Sequence, residues 1–127
     1  MQRKLEAKGH EAGEVSSLID TLAAQSLQSD ARYAEVYIRS RASRGYGPRR
    51  IALELKQRGL PAEVAEAALA ESECDWFALA RRADRKKFGE SPGRSSLEFA
   101  RRRQHLEYRG FAAEQIKATL ASVQEPD

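Results

Sequence analysis

One helix ending recurs three times along this chain, at intervals of about fifty residues. In each copy a leucine stands four residues before a glycine, and a basic residue directly precedes that glycine. The copies are KLEAKGH (4–10), ELKQRGL (54–60) and HLEYRGF (105–111). A basic last turn favours the negative end of the helix dipole, and glycine adopts the left-handed C-terminal conformation at little cost. Because Gly9, Gly59 and Gly110 are 50 and 51 residues apart, the sequence predicts tandem repeats.

Two further helices complete each repeat. After each glycine a helix opens with a glutamate in its first turn and apolar residues at helical spacing. These apolar residues are Val15, Ile19 and Leu22, then Val64, Ala68 and Leu69, then Ile116 and Leu120. In the middle unit the opening helix is predicted to begin at Asp30, as N-cap, and to end at the Gly-Tyr-Gly-Pro break from Gly45 to Pro48. Its predicted inward face holds Tyr33, Val36 and Tyr37.

The last unit follows the same plan with a longer break. Its opening helix is predicted to begin near Asp75, to bury Trp76 and Phe77, and to end near Phe88. The loop ESPGRSS follows before the next helix. The predicted fold is therefore all-α, with tandem three-helix repeats in an elongated, curved body and no β-sheet. The predicted units are 1–27 (without its opening helix), 28–73 and 74–127. Met1 falls inside a helical pattern, so we expect residues upstream of it.

Composition argues against several classes of protein. The single cysteine, Cys74, excludes an internal disulfide, which fits a reducing cytoplasm. No apolar run approaches the roughly 20 residues of a membrane span. The chain shows no His-x-x-x-His or Cys-x-x-Cys pattern, no phosphate loop with its Lys-Ser/Thr, and no nucleophile beside a base. We therefore predict a cytoplasmic monomer that is not an enzyme and needs no metal or cofactor.

Charge is segregated helix by helix. The stretch from Leu60 to Asp75, which contains the third helix of the middle unit, has five acidic residues and no basic one. In a helix-turn-helix protein this helix would enter the major groove, where phosphates would repel it. Sequence-specific reading of DNA is therefore disfavoured. The basic residues lie on the first two helices instead.

These basic residues form two clusters that we interpret as partner-binding surfaces. The candidate residues are Arg39, Arg41, Arg44, Tyr46, Arg49, Arg50, Arg81, Arg82, Arg85, Lys86 and Lys87. Further cations nearby in sequence are Lys56, Arg58, Arg101, Arg102 and Arg103. The predicted structural turns are Gly9, Gly45, Gly47, Gly59 and Gly110. The alternative is a solvated surface that keeps the protein soluble. Two interpretations of Tyr46 remain open: it is exposed for stacking, or it covers the helix junction.

The stretch LQSDARYAEVYIRSRASRGYGPRRIALELKQRGL, together with the three-helix period, resembles the RecX family, the bacterial regulators of the RecA recombinase. The resemblance covers essentially the whole chain and is most specific from Asp30 to Leu60. It implies a protein without catalytic chemistry that binds RecA filaments along their groove. It also implies inhibition of ATP hydrolysis, strand exchange and co-protease activity, and so a role in DNA repair, recombination and the SOS response.

Two alternatives to that function stay open at this point. The Arg clusters alone could make the chain a non-specific nucleic-acid-binding protein. A filament regulator, in contrast, is expected to bind DNA directly only weakly, if at all. The chain could also be an interaction scaffold for an unrelated protein. If the chain acts as the resemblance implies, its partner is the RecA filament, that is, protein together with single-stranded DNA.

Overall fold

A computed structural model describes residues 12–90 and 92–124 of the chain. This part contains six helices and no strand, so the predicted all-α class is confirmed, and its one isolated β-bridge joins Gly93 to Gln124. The predicted turn at Gly9 lies outside the described residues. The helices are α1 (Ala12–Ser43), α2 (Pro48–Gln57), α3 (Ala62–Glu71), α4 (Trp76–Phe88), α5 (Ser96–Arg109) and α6 (Ala113–Ser122).

The first helix is much longer than predicted. It runs unbroken through the 32 residues from Ala12 to Ser43, so the prediction that a helix begins at Asp30 is wrong. Asp is a good N-cap residue, but the sequence from Glu14 to Ser43 has neither glycine nor proline to stop the preceding helix. The third helix predicted for the first unit and the first helix predicted for the middle unit are therefore one rod.

The middle unit is built from the second half of α1 with α2 and α3. Its core contains Ala34, Ile38, Ile51, Leu55 and Ala65, all buried. Small residues on α1 bring the other two helices close to its axis.

The predicted inward face of α1 is wrong in two of its three residues. Tyr33 is 42% exposed and Val36 is 58% exposed, whereas Tyr37 is half-buried. The buried stripe is Ala34 and Ile38, about one-third of a turn away from the predicted one. Both stripes have helical spacing, so periodicity alone did not separate them.

The last unit is built from α4, α5 and α6. Its core contains Ala80, Ala83, Leu106, Phe111 and Ile116. The half-buried Trp76 packs against this core and against that of the middle unit, so it lies where the two units meet. Phe77, predicted to be buried, is 41% exposed and the prediction is wrong for it.

Candidate functional site: a basic cleft between two units

The middle and last units join through a close backbone contact. The Gly47 N–H donates a hydrogen bond to the Arg109 carbonyl at 2.8 Å, and the Arg49 N–H donates to the Gly110 carbonyl at 2.9 Å. The C-terminus of α5 thus meets the N-terminus of α2, and the two helix dipoles attract each other. A Cβ atom on Gly47 would lie 2.5 Å from the Gly110 carbonyl carbon, so only glycine permits this approach.

Tyr46 covers this contact with its ring. Three guanidinium groups surround it: the Cζ atoms of Arg41, Arg109 and Arg50 lie 3.8, 4.6 and 4.7 Å from the ring centroid. Such cation–π contacts are favourable, more so when they are partly desolvated. Because Tyr46 is half-buried and holds cations from both units, it covers the helix junction. Of the two interpretations of Tyr46 left open by the sequence, the structure favours the one in which Tyr46 covers the helix junction over the one in which it is exposed for stacking.

Glu54 fixes the positions of two of these arginines. Arg41 binds its carboxylate through two hydrogen bonds, at 3.0 Å from Nε and 2.8 Å from Nη2, and Arg50 Nε donates at 3.4 Å. The Tyr37 hydroxyl donates to the same carboxylate at 3.1 Å. Burial alone would raise the pKa of Glu54, but the hydrogen bonds from Arg41 and Tyr37 outweigh it and lower that pKa.

Beside the junction lies a cleft of about 240 Å³, which we call the basic cleft. Its lining comes from the end of α1, from α4 and from α5: Ala42, Ser43, Arg44, Gly45, Leu79, Arg82, Ala83, Lys86, Lys87, His105 and Arg109. Five of these side chains are cationic and none is a carboxylate. None of the five belongs to an ion pair between described residues. The cleft therefore concentrates positive charge that no ion pair between described residues offsets.

His105 is the titratable group of the basic cleft. Its ring meets the Phe88 ring edge-on, with centroids 5.7 Å apart. Burial lowers the pKa of His105, and the charges of Arg109 and Lys87 lower it further. Both effects favour the neutral imidazole, so the fixed positive charges of the cleft are its arginines and lysines.

The folded chain brings together some of the predicted residues and separates others. Arg44 of the first cluster meets Arg82, Lys86 and Lys87 of the second in one cleft. Arg49, Arg81 and Arg85 are exposed but do not line it, and Arg39 lines a different groove. The guanidinium of Arg41 is already bound to Glu54, so a partner would compete with an internal ion pair.

One arginine grouped with these surface cations is in the core. Arg102, which the sequence showed only as a cation near the second cluster, is fully buried and pairs with the buried Asp84 at 2.8 Å, so it does not belong to the basic surface. Conversely, sequence reasoning missed Arg109 and His105 as cleft residues. The repeat pattern could have drawn attention to Arg109, because Arg109 has the same position in the last unit as Arg58 in the middle unit, directly before the helix-ending glycine.

The fold and this site define a class: an all-helical protein of three-helix units whose unpaired cations converge where two units join. The described helices include none that is long and apolar enough to cross a membrane. Comparison with known proteins is more specific. The family model for the second three-helix domain of RecX matches residues 29–69.

Curated relatives match nearly the whole chain. Proteins named "Regulatory protein RecX" are 40% identical over 127 residues in Halorhodospira halophila and 46% identical over 121 residues in Chromohalobacter salexigens. These matches cover 100% and 95% of this chain, and 79% of each relative. The relative from Vibrio campbellii is 35% identical over 121 residues, covering 95% of this chain and 78% of its own. The chain belongs to the RecX family of regulatory proteins.

Proposed function

We propose that this protein binds RecA nucleoprotein filaments along their groove and inhibits RecA ATPase, strand exchange and co-protease activity. It would thereby modulate recombination and the SOS response in the cytoplasm, as a regulator rather than an enzyme and acting as a monomer. Family membership supports the regulatory role. The single observation that carries the binding mode is the basic cleft, with five unpaired cations and no carboxylate.

The basic cleft suits a partner that presents closely spaced negative charges. Its cations lie just after α1, on α4 and at the end of α5, next to the backbone contact that joins the two units. The backbone positions of these cations are therefore set before the partner arrives, which lowers the cost of binding. A RecA filament offers such a partner, either as DNA phosphates in the groove or as acidic protein surface.

The test is RecA ATP hydrolysis on single-stranded DNA, titrated with the protein and with two matched double variants. Arg82→Glu with Lys86→Glu reverses charge inside the basic cleft. Arg81→Glu with Arg85→Glu reverses two exposed charges on the same helix outside it. The cleft variant should need at least about tenfold more protein for half-inhibition, since charge reversal adds repulsion to lost attraction. The control variant should change this concentration by less than about threefold.

Equal effects of the two variants, with unchanged circular dichroism spectra, would contradict the assignment of the basic cleft. Absence of inhibition by the unmodified protein would contradict the proposed function itself.

The same unpaired cations favour one second candidate, non-specific binding to nucleic acid. Such a protein would hold naked DNA, with an affinity that falls steeply as salt rises, because bound phosphates release counterions. Naked-DNA binding measured at the salt concentration of the ATPase assay separates the two. A regulator of filaments binds RecA-coated DNA much more tightly than naked DNA.

A further inference from the structure

A second depression in the molecule has the opposite character to the basic cleft. It lies between α1 and α3, measures about 1020 Å³ and is here called the acidic groove. Its lining is Leu27, Gln28, Ala31, Arg32, Glu35, Arg39, Glu63, Val64, Ala67, Ala68, Glu71, Ser72, Glu73 and Cys74. No residue is shared with the basic cleft.

The floor of the acidic groove is apolar and open. Leu27 is 52% exposed, Ala31 and Ala67 are exposed, and Val64 and Ala68 are half-buried. Three of these five residues are alanines, which leave room for another helix to approach closely. The α3 wall is 10 residues long, about 15 Å, enough to contact roughly three turns of a docked helix.

The rim of the acidic groove carries uncompensated negative charge on its α3 side. Glu63, Glu71 and Glu73 lie there, and Glu35 lies on the α1 side. None of these four carboxylates forms an ion pair with another described residue. Two arginines, Arg32 and Arg39, also line the α1 wall, so the acidic character is concentrated towards α3.

We infer that the acidic groove is a docking site for a basic amphipathic helix of a partner protein. The apolar face of that helix lies on Leu27, Ala31 and Ala67. Its lysines or arginines point towards Glu63, Glu71 and Glu73 and pair with carboxylates that have no partner among the described residues. Apolar contacts anchor a helix in a groove, and charge at the rim selects its sign and orientation. This inference needs neither RecA nor DNA, so it stands or falls separately from the proposed function.

The probe is a fluorescein-labelled 14-residue peptide, capped at both ends, with leucines in one helical stripe and lysines elsewhere. The control peptide has the same composition, with the leucines distributed around the helix. Binding to the full chain is followed by fluorescence anisotropy, and the site is located by amide shifts in NMR spectra. The striped peptide should bind at least about tenfold more tightly than its control, because only a continuous stripe fits an apolar floor.

Three variants assign the site. Glu63→Lys with Glu71→Lys should weaken binding of the striped peptide at least about tenfold. Ala67→Trp fills the floor without changing charge and should weaken binding to a similar extent. Glu114→Lys, at an exposed position on α6 outside the acidic groove, is the charge control with one reversal instead of two, and it should have little effect.

Several outcomes would overturn the inference. Equal binding of the two peptides, or an equal loss with Glu114→Lys, would mean general electrostatic attraction. Amide shifts outside α1 and α3 would place the peptide elsewhere. Self-association in sedimentation experiments that Glu63→Lys with Glu71→Lys abolishes, without peptide binding, would assign the acidic groove to a second copy of the chain.

Discussion

The two complete three-helix units fill the same place in their cores with opposite chemistry. Ile51 lies eight residues before Gly59, and Arg102 lies eight residues before Gly110. The apolar Ile51 of the middle unit thus has the charged Arg102 as its counterpart in the last unit. Ile51 lies in a core cluster with Ile38, whereas Arg102 pairs with the buried Asp84 at 2.8 Å.

The difference changes what each unit gains from folding. Ile38 and Ile51 gain free energy simply by leaving water. Asp84 and Arg102 lose hydration, and their mutual attraction must compensate for it. Burial raises the pKa of Asp84 even though Arg102 lies beside it, whereas the more accessible Glu54 in the middle unit has a lowered pKa. Ile38 and Ile51 therefore stabilise the middle unit by burial alone, whereas the ion pair stabilises the last unit only as far as its attraction exceeds the lost hydration.

The largest expected effect comes from breaking the buried ion pair. Asp84→Ala should lower the free energy of unfolding by about 3–5 kcal/mol, because the buried Arg102 loses its nearest carboxylate and keeps the more exposed Glu98, at 3.2 Å. Urea unfolding followed by circular dichroism measures this loss.

The control gives the last unit a core like that of the middle one. Replacing both residues, Asp84→Ile with Arg102→Ile, should leave stability unchanged or raise it by about 1–4 kcal/mol. A double variant as unstable as Asp84→Ala would show that the ion pair is a net stabiliser, contrary to the comparison drawn here.

The second prediction concerns the contact that joins the two units. Gly110 has φ of +92° and Gly59 has φ of +88°, but only Gly110 faces another unit: an added Cβ would overlap Arg50 Cβ. Gly59→Ala should cost about 1–2 kcal/mol for the left-handed backbone alone. Gly110→Ala should cost more, on the order of 3 kcal/mol, and separate the units.

Thermal unfolding with tryptophan fluorescence measures both variants, since Trp76 packs between the two cores. An equal cost for both alanines would mean that the backbone contact between Gly47 and Gly110 is not close in solution.

The third and smallest effect concerns Glu54 and acid. Its pKa is lowered on folding, so it contributes stability that is present above its unfolded pKa of about 4.3 and is lost as the pH falls through its lower folded pKa. Glu54→Gln should therefore lower stability by about 1–2 kcal/mol at neutral pH, and by much less near pH 3.

Urea unfolding at both pH values checks the sign of this linkage. Glu63→Gln is the control, because Glu63 is exposed and forms no ion pair with a described residue; it should stay within about 0.5 kcal/mol. A loss for Glu54→Gln that does not change with pH would contradict the linkage.

Local signals predicted much of this fold. The helix-ending glycines and the basic residues before them depend on neighbouring backbone alone, so the all-helical class and the period could be predicted from the sequence. The beginning of α1 could not, because Asp30 is a capping residue only if the chain before it is not helical. The inward stripe on α1 depended on α2 and α3, which pack against Ala34 and Ile38 instead of Tyr33 and Val36.

Prediction of the candidate site from the sequence was limited in the same way, because the site depends on contacts between residues far apart in the chain. The two Arg clusters were visible in the sequence, but about forty residues separate Arg44 from Arg82, Lys86 and Lys87. The packing of the two units, through Trp76 and the contact between Gly47 and Gly110, brings them into one cleft. Arg102 was indistinguishable from its exposed neighbours Arg101 and Arg103, since the carboxylate that permits its burial is 18 residues away.

The length of the unbroken α1 determines how far a rotation at one of its ends would move the other end. With 32 residues it is about 48 Å long, and one end is anchored in the middle unit next to the contact between the two units. A rotation of about 10° at that end would carry the other end through about 8 Å, given this length. Any small rotation at the contact between the two units would therefore become a large displacement at Ala12.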